Sequence, residues 1–309
     1  RLANEQTVTR RVTNVSDESQ TLVAAVSAPP GIVVTVVPSS LSLGPGQTAT
    51  FDVSFVYESG PLDLWRFGTL TWSSNDHSVY STIAVKPVSL TAPAEVTSFG
   101  GSGSVSFPVE FGYTGSYAPG VHGLRLPLVI NGFVDNDPTK TFTFRSGAGV
   151  TAHLVDVPAE QLYLRFSLFD ALTDGDDDLD LYLYYQPGVC NPLDFRGTRI
   201  TESGGPTAEE QVNVFRPPAG CYGALVHGFE TDQVSGGPGA NYTMLAWAFG
   251  IADDQGNMTA SGPPFVNSGS TETITVNWAN LVSDTIYLGG ISHNTPQGLV
   301  GVTLITIGN

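Results

Sequence analysis

Residues 170–185 read DALTDGDDDLDLYLYY. Within this segment Leu179, Leu181 and Leu183 occupy alternate positions, so in an extended chain they share one face. The aspartates that lead into the leucines also alternate, at Asp174, Asp176, Asp178 and Asp180. The pattern predicts a β-strand that places a leucine face in a core and begins at a polar turn.

Apolar runs of the same two-residue period occur along the whole chain, and glycine, proline and asparagine separate them. The chain has 309 residues, 35 Gly and 21 Pro, with 41% hydrophobic and only 13% charged residues. This length exceeds one ordinary domain, and the composition is typical of many short strands joined by turns. We predict an all-β protein of multiple antiparallel β-sandwiches, fibronectin- or immunoglobulin-like and jelly-roll-like.

The spacing of strands and turns predicts three domains. Short apolar runs and the turns between them have the spacing of a seven-stranded sandwich in residues 1–91, and a second set of alternating strands fills residues 128–249. The remaining segments, 92–127 and 250–309, each offer too few strands to close a core alone. We therefore predict that they combine into one discontinuous immunoglobulin-like sandwich, with the second domain inserted into it; two consecutive units are the alternative.

Charge and hydropathy restrict the partners. The formal net charge is −17, and two lysines and ten arginines are spread thinly, so there is no basic stripe for nucleic acid or for an anionic membrane surface. No apolar run approaches the roughly 18 residues that span a bilayer. Because the chain starts at Arg1 rather than with a signal sequence, we expect a processed or excised piece.

Cys190 and Cys221 are the only cysteines. They do not form a CxxC motif, which favours one structural disulfide over a metal or redox site. Two reduced thiols in a cytosolic protein are the alternative, which fits poorly with the few lysines and the acidic surface. We predict a disulfide and a secreted or extracellular location.

The alternate aspartates raise the hypothesis of a Ca²⁺ site, since several carboxylates lie within one short loop and Ca²⁺ takes oxygen ligands. The EF-hand pattern fails, because Gly175 is the second loop position and Tyr185 stands where a bidentate Glu is required. The alternative is a solvated turn. A catalytic acid and base pair is the least favoured interpretation, because the sequence around these carboxylates shows no sign of the apolar burial that would raise a pKa.

Aromatic residues suggest a binding surface. Tyr182 and Tyr184 lie opposite the leucine face, and Tyr163 is expected on a neighbouring strand. A flat aromatic surface can bind extended polypeptide or insoluble protein. The alternative is that a neighbouring domain covers this face.

Several motifs resemble a known family. The segments RVTNV (11–15), PGIVVTVVPSSL (30–41) and GTLTW (68–72) resemble the fibronectin-like domain that follows the catalytic domain in cucumisin-type subtilases, over residues 7–86. The segments DLDLYLY (178–184) and PAGCYGALVHGF (218–229) are similar to the pre-peptidase C-terminal domain of secreted bacterial subtilases.

The resemblance implies a non-catalytic C-terminal region of a secreted subtilisin-like serine protease that braces the catalytic domain and binds substrate protein. In that family the fibronectin-like domain packs beside the catalytic domain, so Trp65 and Phe67 are candidate contacts. The motifs of the subtilase triad do not occur in this sequence, and we predict no enzymatic activity for the chain. The alternative is a cell-surface or filament-forming structural protein, with self-association through open sheet edges.

Overall fold

A computed structural model describes residues 1–144, 149–232 and 239–308. Antiparallel strands dominate these ranges, which contain one 3-10 turn, Asp170–Leu172, and no α-helix. No described helical segment is long or apolar enough to cross a bilayer. The predicted fold class, an all-β chain of several sandwiches, is confirmed.

The first sandwich is formed by the first seven strands. They are β1 (Glu5–Thr13), β2 (Gln20–Ser27), β3 (Ile32–Val37), β4 (Ser40–Leu43), β5 (Thr48–Tyr57), β6 (Arg66–Ser73) and β7 (Ser78–Val85). One sheet has the order β1-β5-β3 and the other β4-β2-β6-β7. Between them Phe51 packs edge-on against Trp72 with ring centroids 5.0 Å apart, so alternate residues of β5 and β6 provide the core.

Five strands follow, and they do not form a complete sheet among themselves. They are β8 (Leu90–Thr91), β9 (Glu95–Phe99), β10 (Gly103–Phe111), β11 (Gly115–Ser116) and β12 (Ala118–Arg125).

The second sandwich consists of two four-stranded sheets. Its strands are β13 (Leu128–Asp135), β14 (Val150–Val157), β15 (Gln161–Ser167), β16 (Asp178–Gln186), β17 (Thr198–Ser203), β18 (Gln211–Phe215), β19 (Gly220–Glu230) and β20 (Gly239–Gly250). The sheets have the orders β13-β20-β15-β18 and β14-β19-β16-β17. Leu179, Leu181 and Leu183 of β16 are fully buried in its core, as the alternation predicts.

The last five strands pair with β8–β12. They are β21 (Met258–Ser261), β22 (Phe265–Val266), β23 (Thr271–Trp278), β24 (Ile286–Thr295) and β25 (Gly298–Gly308). The resulting sheets are β21-β23-β10-β8 and β12-β24-β25-β9, with a ribbon β11-β22; we call this body the third sandwich. β9 runs parallel to β25, unlike the other pairs. This pairing supports the proposed domain division, which is still a proposal.

An apolar cluster joins the second and third sandwiches. Trp247 and Phe249 of β20 pack against Leu288 of β24 and Leu304 of β25. The first sandwich meets the third through Leu62, in the β5–β6 connection, which packs on the core of the third sandwich. Neighbouring sandwiches therefore contact one another through apolar side chains.

Candidate functional site

The carboxylates of Asp174, Asp176 and Asp180 do not converge on a shared position. Asp174 accepts hydrogen bonds from the backbone N–H of Asn241 at 2.8 Å and from its side-chain amide at 2.7 Å. The backbone N–H of Asp176 donates to Asp232 at 2.9 Å. Asp180 lies inside the sheet and accepts from His227 at 3.0 Å. The four predicted ligands thus have different surroundings.

Two neighbouring carboxyl groups differ from the expected solvated turn. Asp177 is 5% exposed. One oxygen of Asp177 and one of Asp178 are buried without a hydrogen-bond partner in the part of the chain that the structure describes. Burial raises the pKa of both groups, and neighbouring carboxylates raise it further. The expectation that no carboxyl group here shows burial was therefore wrong, because residues 177 and 178 already enter the sandwich.

A metal-binding arrangement is not assembled by these groups. Within residues 1–144, 149–232 and 239–308, no group of three or more His, Cys, Asp or Glu side chains is placed to hold a metal ion. The Ca²⁺ hypothesis for Asp174, Asp176, Asp178 and Asp180 stays a prediction.

The structure brings together a buried histidine and two carboxylates, which we call the His227 centre. His227 of β19 is fully buried, and its Nδ1 and Nε2 atoms lie 3.0 Å from oxygens of Asp180 and Asp137 respectively. Asp180 reaches it across the β16–β19 pair, in which the two residues are register partners. Asp137 follows β13 and also accepts hydrogen bonds from the N–H and hydroxyl of Thr139, both at 2.8 Å.

The electrostatics of the His227 centre favour a protonated imidazole. Carboxylate oxygens only accept hydrogen bonds, so both ring nitrogens donate when the ring carries two protons. Burial lowers the pKa of His227, but the hydrogen bonds and charges of Asp180 and Asp137 raise it more, and the pKa lies above its ordinary value. The hydrogen bond from His227 lowers the pKa of Asp137. Sequence reasoning missed this centre, because no motif links residues 137, 180 and 227.

Aromatic residues cover the sheet outside the His227 centre. The ring of Phe142 stacks on Tyr182 with centroids 3.7 Å apart, and Phe144 stacks on Tyr184 at 4.4 Å. Tyr184 is therefore buried and Tyr182 half-buried. A segment of the same sandwich covers this face, rather than a neighbouring domain. Their role in binding a substrate is still a prediction.

Tyr163 is also only partly accessible. It is half-buried and packs on the cluster between the second and third sandwiches, with its ring stacked 6.0 Å from that of Phe249. The nearby Arg165 is 4% exposed and donates to both carboxylate oxygens of Glu95 on β9, at 2.9 and 2.6 Å. This part of β15 therefore holds the two sandwiches together.

The first sandwich carries an exposed apolar patch, the Trp65 surface, formed by Leu64, Trp65 and Phe67. These side chains are 57%, 57% and 63% exposed. Arg66, which lies between them in sequence, points inward and donates to the carbonyls of Pro30 at 2.8 Å and Ser59 at 2.6 Å. The buried guanidinium therefore joins the β2–β3 turn to the β5–β6 connection directly beside the exposed aromatic rings.

The predicted disulfide is confirmed. Cys190 and Cys221 are bonded across a sequence separation of 31, with Cα atoms 4.8 Å apart. The bond lies in an apolar cluster with Tyr184, Phe195 and Leu225. It ties the loop after β16 to the start of β19.

The buried histidines His227 and His293 bond to carboxylates and to hydroxyl groups of tyrosine and threonine. Among the hydrogen bonds of the described residues, no serine hydroxyl contacts a histidine ring. Both ring nitrogens of His227 are held by carboxylates, and those of His293 bond to Tyr117 at 2.7 Å and Thr303 at 2.9 Å. Burial lowers the pKa of His293 to about 4. Neither buried ring can accept a proton from a substrate, because neither is exposed.

Comparison with known proteins relates the chain to a protease. Residues 1–85 match the family model of a fibronectin type-III domain. Pyrolysin of Pyrococcus furiosus is 27% identical over 191 residues, which make up 61% of this chain and 12% of pyrolysin. The chain thus spans about one eighth of the length of this curated relative. The first sandwich is fibronectin type-III-like, and the similarity to a protease extends beyond it.

Solved structures show only distant likeness. The secreted serine protease VesC of Vibrio cholerae is 10% identical with a TM-score of 0.24, covering 82% of this chain and 49% of that chain. The CupB2 chaperone of Pseudomonas aeruginosa is 11% identical with a TM-score of 0.24, covering 90% and 93%. TM-scores this low carry no argument about fold or function.

Proposed function

We propose that this chain is a non-catalytic accessory region of a secreted subtilisin-like serine protease, and that it braces the catalytic domain of the same precursor. The observation that carries the proposal is the similarity to pyrolysin over 191 residues, together with the fibronectin type-III match at residues 1–85.

The second sandwich is proposed to be a pre-peptidase C-terminal-like domain, on the basis of the DLDLYLY and PAGCYGALVHGF segments. The proposed secretion is supported by the disulfide, since such bonds persist in oxidising compartments. Substrate binding is a weaker part of the proposal, because Tyr182 and Tyr184 are covered by Phe142 and Phe144.

The Trp65 surface is the proposed contact with the catalytic domain. Large apolar side chains that stay exposed gain about 1.5–3 kcal/mol each when a partner buries them. In the full precursor, the double substitution Trp65→Ser and Phe67→Ser should therefore lower the temperature at which protease activity is lost. The isolated chain should keep its stability, because both side chains are already mostly exposed in it.

Val15 provides the matched control. It is 92% exposed and lies in the β1–β2 turn, at the opposite end of the first sandwich from Trp65. Val15→Ser should leave the inactivation temperature of the precursor unchanged. An equal effect of the two changes, or no effect of the double substitution, would contradict docking through the Trp65 surface.

A second measurement tests the non-catalytic role. A fluorophosphonate probe that labels active serine hydrolases should not label the isolated 309-residue chain, whereas it should label the full precursor. Labelling of any serine in the isolated chain would show that it carries a catalytic site.

A further inference from the structure

The first sandwich has an open side. A groove with a cavity volume of about 340 Å³ lies between β1, the edge strand of one sheet, and β7, the edge strand of the other. Phe51, Val53 and Leu70 of the core line it. In the described part of the chain no strand lies beyond either edge.

Side chains on the inner faces of both edge strands are exposed along this side of the sandwich. Arg10 of β1 pairs with the buried Phe51, so it faces the inside of the sandwich, and yet it is exposed. On β7, Val79 pairs with the buried Trp72 and is 66% exposed. Residues directly opposite in an antiparallel pair share a face. The interior of the sandwich is therefore uncovered along this side.

The backbone shows how the groove can be filled. Leu2 pairs in parallel with Pro87, just after β7: its N–H donates to Lys86 and its carbonyl accepts from Val88, both at 2.9 Å. Along a strand, successive residues direct their backbone groups to opposite sides. The free groups of Ala84, Thr82 and Tyr80 therefore lie on the same edge as those that bond to Leu2.

We propose that the polypeptide directly preceding Arg1 in the precursor adds a strand to this edge, parallel to β7, and fills the groove. Leu2 is buried in the core, so the first, third and fifth residues before Arg1 face inward as well. The first and third positions pair with Val85 and Ile83, which are buried, and require apolar side chains. This inference rests on one part of the proposed function, namely that the chain belongs to a longer precursor.

Charge gives a further requirement. Arg1 and Arg10 both line the groove, and no described carboxylate forms an ion pair with either of them. A strand with an acidic residue at its upstream end would pair with Arg10. The expected occupant therefore has apolar residues at the first and third positions before Arg1 and an acidic residue further upstream.

The test adds a six-residue probe to the N-terminus of the full chain. The extension Thr-Glu-Thr-Val-Thr-Val before Arg1 places both valines inward. The control, Glu-Thr-Val-Thr-Val-Thr, has the same composition shifted by one residue, which turns every valine outward. Hydrogen exchange of the Ala84 and Thr82 amides should slow on the order of tenfold with the first extension and stay unchanged with the second.

Thr82→Pro provides a second arm. Proline is tolerated on an edge strand where its nitrogen faces solvent, so the chain should fold, with native tryptophan fluorescence, but lose the slower exchange at Ala84. Equal exchange with both extensions would overturn the proposal. Dimerisation of the unextended chain with protection of the same β7 amides would also overturn the proposal. Charged residues at the first and third positions before Arg1 in the precursor would do so as well. These outcomes do not depend on protease activity, so they are distinct from failure of the proposed function.

Discussion

Replacement of Arg165 by Met should destabilise the contact between the second and third sandwiches by about 2–3 kcal/mol. The guanidinium is 4% exposed, donates twice to Glu95 at 2.9 and 2.6 Å, and donates to Asn213 at 2.7 Å. Loss of one partner of a buried ion pair costs about 3–5 kcal/mol. Because the Glu95 side chain is 30% exposed, water partly solvates the remaining carboxylate. We therefore expect a loss of stability of about 2–3 kcal/mol.

The assay is native-state hydrogen exchange of β9, which carries Glu95 and, among the described strands, pairs only with β25. Exchange resolves local opening in a chain of several sandwiches, for which one global unfolding free energy is not well defined. The matched control is Arg199→Met. Arg199 pairs with Glu202 at 2.6 Å, but the two side chains are 51% and 52% exposed, so the cost should stay below about 1 kcal/mol.

The pH dependence gives an internal check. Burial would raise the pKa of Glu95, but hydrogen bonds from Arg165 and Thr306 outweigh it and hold the pKa below its ordinary value of 4.5. A lowered carboxyl pKa stabilises the fold above the ordinary value and loses this effect as the pH falls through the folded pKa. The deficit of Arg165→Met should therefore shrink at acid pH. Equal costs for the two arginine variants, or a deficit that does not change with pH, would refute the reasoning.

Three further predictions concern stability. Because the pKa of His227 is raised in the folded state, its protonation stabilises the fold fully below the ordinary value of 6.5, and this contribution is lost as the pH rises through the folded pKa. The variant His227→Gln should remove this pH dependence from the free energy of unfolding measured by chemical denaturation. An unchanged pH dependence would contradict the prediction. Reduction of the Cys190–Cys221 bond should lower the free energy of unfolding of the second sandwich by about 3–4 kcal/mol, because the unfolded chain gains loop entropy. Denaturation curves recorded with and without reductant measure this difference, and coincident curves would argue against it. A chain that ends at residue 249 should lose amide protection in β10, because β23 is removed; retained protection would show that β10 does not need it.

Local sequence accounts for the strands but not for their neighbours. The alternation in residues 178–185 predicted a strand, and Leu179, Leu181 and Leu183 are buried because side chains in an extended chain alternate between faces. The same pattern could not show that Phe142 and Phe144 cover Tyr182 and Tyr184. That contact depends on a segment about 40 residues earlier, whose position is set by the fold.

Sequence alone determined the fold class, the disulfide, and the resemblance to a protease accessory region, since periodicity, cysteine number and motifs are local or countable properties. The tertiary structure alone decided which polar groups meet. His227 joins Asp137 and Asp180, Arg165 reaches Glu95 across 70 positions, and β7 is left as an open edge. These contacts depend on the register and order of strands distant in sequence. The partners that they supply raise the pKa of His227 and lower that of Glu95, against the effect of burial.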